Sequence, residues 1–561
     1  MRRMMPKANL VRHRRSLPVV LTFGFLLSWS AWAQTLNVGN NASVTSLDPH
    51  FYTATPNLEI SKQIFEGLTR MNAEGQVVPG LAESWRQVEP SVWEFRLREG
   101  VRFHDGTPFT GDDVAFTLDR VPRVENSPGS FVVFTRSVER VEVVNPRTVR
   151  MHTRSTDPLL PANLAWVMML SRTVHAGAAT AGFNDGSLAV GTGPYRYAAF
   201  VPGERVELRR NPEYWGDAPA WERVVNRVIR NPAARTAALV AGDVDIINGV
   251  PSSDIGRLRT DPRLRVEETT GLRLVYLGLD LLRPEAAFVR GARGEALPEN
   301  PLRDPRVRQA LSLAIDRTAI AERVMERAVT PTLQIVREGL GGHVPDLPPR
   351  FDPAAARRLL SEAGYRDGFQ ITLHGPNDRY LNDARVIQAI GQMWQRVGIQ
   401  TAVEPMPWAA YAARANRGEF SAFLLGGTAA TGEASYLLRT ILGLRGADAP
   451  RGADLGFAAA LDRAMATTDP AARDRLLQAS VRDVVEAGAF IPLYNQKAAF
   501  AMRRAIAYSP RADEGKRSLR AVLPARVVTV LGVLGAEGFE LSLWTTLMTT
   551  RRVVVSAGSR F

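Results

Sequence analysis

The sequence contains no cysteine. No disulfide, thiolate metal site or cysteine nucleophile is therefore available, stability must come from core burial, and a lipoprotein anchor, which needs a cysteine at the cleavage site, is excluded. Lysine is nearly absent as well: of the 70 basic residues only Lys7, Lys62, Lys497 and Lys516 are lysines. The arginines are interspersed with acids rather than gathered in blocks, which reads as solvated surface and not as a nucleic-acid-binding face. The formal net charge of +13 overstates that surface, because Arg2, Arg3, Lys7, Arg12, Arg14 and Arg15 all lie at the very start. No G-x-S-x-G elbow, H-E-x-x-H zinc helix or phosphate-cradling G-x-x-x-x-G-K occurs; a glycosidase-type carboxylate pair stays open. His50, His104, His152, His175, His343 and His374 are scattered singly, without ligand spacing, so neither a metal nor another cofactor is expected.

What is present begins with an export pattern. The basic start is followed by an apolar stretch at 17–29 and the box Ala31-Trp32-Ala33, the three-part layout of a secretory signal peptide. The apolar stretch falls short of the ~20 residues that span a membrane. Residues 1–33 are therefore expected to be removed, leaving Gln34 first in a soluble periplasmic protein. The rest exceeds the ~250–300 residues that one core can serve, so two lobes are expected.

Short strands alternate with well-marked helices, which predicts α/β lobes. Trp93, Phe95 and Leu97 alternate with charged residues as a half-buried strand does. Asp304-Pro305 and Asp352-Pro353 each read as an N-cap followed by an N1 proline, the second helix stopping at Gly364. Phe369, Ile371 and Leu373 form a strand. Val386, Ile387, Ile390, Met393, Trp394 and Val397 then form a helical stripe ending at Gly398, and 399–403 returns as a strand. Such a strand–helix–strand unit leaves its ligand outside the carboxyl ends of the strands, where the loop 374–380 falls. A further strand at 420–425 ends in the loop 426–433, which could share that face. The apolar stretches 527–534 and 541–548 are broken by Glu537 and Glu540, and the tail after Pro524 reads as a poorly ordered extension.

Leu81-Ala82-Glu83-Ser84-Trp85 and the run from Trp93-Glu94-Phe95 to His104-Asp105-Gly106-Thr107-Pro108-Phe109, completed by Asp112-Asp113-Val114, closely resemble the signature of family 5 solute-binding proteins. Further matches follow in the family's order: Gly191-Thr192-Gly193-Pro194-Tyr195, Arg210-Asn211-Pro212-Glu213-Tyr214-Trp215, Ala241-Gly242-Asp243-Val244-Asp245-Ile246, Asp304-Pro305-Arg306-Val307, and Ile491-Pro492-Leu493. The resemblance covers roughly residues 35 to 524. It implies an α/β two-lobe periplasmic binding protein fold of the large peptide-binding type, with two crossovers between lobes and a ligand cleft between them. Lobe 1 would span 34–272 with an inserted subdomain, lobe 2 would span 273–484, a return segment to lobe 1 would run over 485–524, and 525–561 would be an atypical extension.

The implied activity is binding without catalysis. A monomer would capture a peptide or other small solute and pass it to an inner-membrane ABC permease with its ATPase subunits. Alternatives keep the fold but change the cargo to chelated nickel, haem, glutathione or an oligosaccharide, and a secreted hydrolase is the rival of another class. In dipeptide-binding relatives an arginine near the 374–380 loop binds the ligand carboxylate, which points to Arg379, with Asn377, Asp378 and Tyr380 beside it; a guanidinium fork suits that task. Trp408 could wall a side-chain pocket. Peptide-binding relatives begin the second loop with Gly-Trp and carry an aspartate for the α-ammonium. Here Gly427 and Ala430 stand in those places, and Glu433 is the nearest acid that could compensate. Tyr52 and Thr53 from lobe 1, and Tyr494 and Asn495 near the second crossover, complete the candidates. Asp105 and Asp112 in the signature block are expected to bond nearby backbone donors, and His104 to be structural.

Overall fold

The computed structural model describes residues 35–442 and 457–512, together with the backbone of three strands at Val527–Leu531, Leu543–Thr549 and Arg552–Val555. The expected signal segment 1–33 and residues 513–524 of the return segment lie outside the described residues. The three tail strands pair antiparallel with one another.

Helices start where a short polar side chain takes up the N–H groups left free in a first turn. Asp304 accepts from the Arg306 N–H at 2.8 Å before the helix Pro305–Leu313, and Asp352 accepts from the Ala355 N–H at 2.8 Å before Pro353–Glu362. The elements that build the site are, in chain order, β1 (Thr35–Asn40), α1 (Thr55–Ile64), β2 (Arg223–Val228), α2 (Pro232–Ala241), β3 (Ile246–Asn248), α3 (Ser252–Thr260), β4 (Leu264–Leu279), β5 (Phe369–Pro376), α4 (Asp383–Gln395), β6 (Gln400–Met406), α5 (Trp408–Asn416), β7 (Ala422–Thr428) and β8 (Phe490–Arg503).

β5, α4 and β6 form the expected strand–helix–strand unit. β5 and β6 are parallel from Gln370↔Gln400 to Pro376↔Met406, and β7 lies parallel on the other side of β5. The apolar stripe of α4 is fully buried at Val386, Ile387, Ile390 and Trp394, and the Trp394 indole N–H donates to the Leu311 carbonyl at 3.0 Å, so its one polar atom is satisfied. In the other half β1 is parallel to β2 on one side and to β3 on the other.

These two parallel groups belong to one twelve-stranded sheet, joined through β4 and β8. Both joining strands change core along their length. β4 gives Leu264 to one apolar cluster and Leu272, Leu274 and Leu277 to another; β8 gives Ile491 and Leu493 to that second cluster and Phe500 and Met502 to a third, which β1 shares. The two strands pair antiparallel, and their ladder shifts register between Thr270 and Leu274. The chain therefore has two separately packed halves connected by the β4–β8 ribbon, whose ladder is interrupted where it passes between them and where the short strand Val329–Pro331 also pairs with β8.

A four-stranded antiparallel sheet, Ala82–Glu89, Val92–Leu97, Thr148–Thr153 and Val138–Asn145 in spatial order, has its own core, with Phe95 and Leu97 fully buried. The signature block supplies most of its second strand and the turns that follow that strand. Asp105 accepts from the Thr107 N–H at 3.0 Å as expected. Asp112 does not play the matching part: it is exposed beside Arg172 at 3.8 Å. Its neighbour Asp113 faces inward instead and accepts from the backbone N–H groups of Thr110 and Arg172, both at 2.8 Å.

Candidate functional site

A cleft of about 510 Å³ opens between the two halves. Its floor is the carboxyl end of the parallel group, with Asn40 ending β1, Asn41 just after it and Asn248 ending β3. The Asn41 and Asn248 side chains lock each other: the Asn41 backbone N–H donates to the Asn248 amide oxygen at 3.0 Å, and the Asn248 amide donates back at 3.1 Å. α1, α2 and α3 all point their N-terminal ends here through Thr55, Pro232 and Pro251. Ala328 and Leu381 close the cleft from the opposite half, and Gln496, Lys497 and Phe500 of β8 run along it.

The opposite wall is organised by Asp383, at the start of α4. Its Oδ2 accepts from the Arg379 and Tyr380 N–H groups, both at 3.0 Å. β5 runs on through Pro376, so the loop begins at Asn377 and His374 lies within the strand, buried and stacked on Phe420 with ring centres 4.2 Å apart. The Asn377 N–H donates to the Met406 carbonyl at 3.0 Å, and Asp378 accepts from the Trp408 N–H at 2.7 Å, tying the loop to the start of α5. Arg379 is exposed, with its guanidinium 4.9 Å from the centre of the Trp408 ring. Tyr380 is buried, and its hydroxyl accepts from the Gly426 N–H at 2.9 Å. The loop after β5 and the carboxyl end of β7 therefore share one face.

β7 runs on through Thr428, so Gly426 and Gly427, expected in the second loop, belong to the strand, and there is no room at either for a large side chain. A Cβ on Gly427 would lie 2.3 Å from a Leu437 methyl, and one on Gly426 would lie 2.9 Å from the Tyr380 ring. The Ala430 carbonyl accepts from the Trp166 indole N–H at 3.1 Å, so this loop reaches across to the other half. Glu433 does not come to the cleft as a free acid. It is buried, and its carboxylate is occupied by Arg473 and Ser435.

Tyr52 and Thr53 lie against Gly129, whose carbonyl accepts from the Thr53 N–H at 3.1 Å. Tyr494 and Asn495 are buried in β8; the Tyr494 hydroxyl has no hydrogen-bond partner among the described residues, and burial holds it protonated. None of the ten residues singled out from the sequence lines the cleft itself, although Leu381 and Gln496, the next residues after Tyr380 and Asn495, do. Sequence reasoning missed Asn41, Asn248 and Lys497. The rule that ligands sit beyond the carboxyl ends of parallel strands, applied to β1 as it was to β5, would have found Asn41.

Two histidines beside this half are held neutral. His50 is fully buried, its Nδ1 accepts from Arg120 at 3.1 Å and its Nε2–H donates to the Met168 carbonyl at 2.8 Å. Burial and the Arg120 charge push it down to about 4. His104 bridges the Gly191 N–H and the Gly193 carbonyl, and burial pushes it down to about 4 as well. Both folded values lie below the ordinary 6.5, so the unfolded chain takes up these protons first and stability falls as pH drops from 6.5 towards 4. At pH 5 His50 alone should cost about 2 kcal/mol relative to pH 7. Urea unfolding at the two pH values measures this, and His104→Gln should flatten part of the slope.

Two halves with separate cores, joined by a ribbon and facing each other across a cleft, define a two-lobe α/β binding protein of the periplasmic type. The model of the bacterial extracellular solute-binding proteins, family 5 (middle), matches residues 76–448, and the chain belongs to that family. It is 26% identical over 515 residues to di/tripeptide-binding protein 1 of Pseudomonas aeruginosa, covering 85% of this chain and 91% of that protein. It is 26% identical over 469 residues to heme-binding protein A of Haemophilus influenzae, covering 77% and 82%. The structure of HbpA2 from Haemophilus parasuis superposes with a TM-score of 0.76 at 24% identity, covering 87% of this chain and 99% of that one.

Proposed function

We propose that this protein captures a peptide or peptide-like solute in the periplasm and delivers it, by closing its lobes, to an ABC permease driven by ATPase subunits. The observation that carries this reading is the cleft itself: polar groups at strand ends on one side, a loop bearing an exposed arginine on the other, and a jointed ribbon between them. Lobe 1 takes in 34–272 and the return segment, lobe 2 takes in 273–484, and the protein acts as a monomer after loss of residues 1–33. It holds its cargo without chemical change. Contacts to both lobes favour the closed form by the difference in affinity between the two states.

Small-angle scattering of the mature protein with and without Ala-Ala tests closure. The radius of gyration should fall on saturation; a dipeptide that binds by calorimetry and leaves it unchanged overturns the hinge.

A second reading, with cargo lacking a free α-ammonium, is favoured by the second loop. Ala430 offers only a carbonyl already bonded to Trp166, and Glu433 is neutralised by Arg473. Haem or an oligosaccharide would suit that reading; chelated nickel and glutathione, the latter with its free glutamyl α-ammonium, are the other alternative cargoes for the same fold.

A further inference from the structure

We infer that Lys497 anchors an acidic group of the cargo, which makes this a receptor for anionic solutes. The inference rests on the solute-binding reading above and names the charge class that the same cleft selects.

In a chain that uses arginine almost everywhere, Lys497 is one of only two lysines among the described residues. It sits on β8, where its N–H donates to the Ala328 carbonyl at 3.0 Å and Thr270 is its partner across the ribbon. That pairing fixes its backbone at the joint between the lobes, so its position does not depend on either loop. Its side chain is half-buried along the cleft. No carboxylate among the described residues pairs with its ammonium. A partly desolvated cation without a counter-ion is a cost in the empty protein that an anionic ligand removes.

The surroundings favour the same sign. Neither α1 nor α2 has an acidic residue in its first turn, so the positive ends of both helices face the cleft without a carboxylate in that turn, whereas α3 carries Asp254 in its own. Glu59 is the one acid lining the cleft, set against Lys497 and these helix ends. On the opposite wall Leu381 ends a loop that carries an exposed cation, Arg379, outside the cleft lining, while the place of an ammonium-binding acid is taken by Ala430. The remaining walls, Val44, Ile60, Leu381 and Phe500, are apolar. A ligand fitting about 510 Å³ is small, carries an apolar part and has more acidic than basic groups. Lysine suits this position because its ammonium is a compact point charge on a flexible stem, able to meet carboxylates at varied depths, whereas a guanidinium fork demands one plane.

Calorimetric titration of the mature protein with Ala-Ala, Ala-Glu and Ala-Lys tests the inference. Ala-Glu should bind about tenfold more tightly than Ala-Ala, as expected for one added charge-assisted contact, and Ala-Lys should bind most weakly. Lys497→Gln should abolish the preference for Ala-Glu over Ala-Ala, and Lys497→Arg should restore part of it; an unchanged unfolding profile for both variants shows that the fold is intact. A preference that survives in Lys497→Gln, or no preference in the native protein, overturns the inference while leaving the solute-binding reading in place. No heat from any of the three dipeptides overturns the inference together with the peptide reading of the cargo.

Discussion

Arg120→Leu should lower the unfolding free energy by about 3–5 kcal/mol, because it strands a buried carboxylate. Arg120 grips Asp48 with both terminal nitrogens, at 2.7 and 3.1 Å, and the Asp48 side chain is 0% exposed. Thr180 and the His50 N–H supply the other donors to that carboxylate, at 2.7 and 3.0 Å. Burial alone would raise the Asp48 carboxyl, yet the Arg120 hydrogen bonds and charge hold it below its ordinary value. Without the guanidinium the site must either keep an uncompensated charge or take up a proton. Asp48→Asn in the Arg120→Leu background removes the charge and should recover part of the loss, a coupling that a double-mutant cycle in urea reads directly. A cost below about 1 kcal/mol, the level of an exposed ion pair, would rule out the buried-pair account.

Arg379→Ala should weaken Ala-Ala binding by about tenfold, corresponding to about 1.4 kcal/mol for the loss of one charge-assisted contact to the ligand carboxylate. Arg379 is already arranged for a carboxylate. Asp383 fixes its backbone and the Trp408 ring supports its guanidinium, while no acid among the described residues pairs with it. A group held in place before the ligand arrives loses little freedom on binding. Trp408→Ala should therefore cost a few-fold, the size of a cation–π contact of about 0.5–1 kcal/mol. Arg379→Lys should fall between, keeping the charge and losing the planar fork. Equal calorimetric affinities for Ala-Ala in the native protein and in Arg379→Ala would remove this residue from the site.

The parts of this fold that could be read in the sequence are those with local causes. Asp304 and Asp352 announce their helices because a cap acts within three residues. The stripe from Val386 to Val397 announces α4 because one turn of helix brings its members together. The cleft has no such local mark. Asn41, Asn248 and Lys497 lie far apart in the chain and meet only because β1 pairs with β3 and β3 with β8. Glu433 looked available because its partner Arg473 stands forty positions away. Asp112 and Asp113 exchange parts through a single helical step of about 100°, which turns one to solvent and the other inward.

The interrupted ribbon of β4 and β8 has a mechanical consequence. Two hydrogen-bonded strands laid side by side resist stretching and sliding, but they flex readily out of their own plane, and most readily where rungs are missing. The path of closure is then a property of the polypeptide rather than of whatever lies between the lobes. Unlike cargoes would bring the outer surface to a common outline, and a single membrane partner could accept all of them by reading that outline alone.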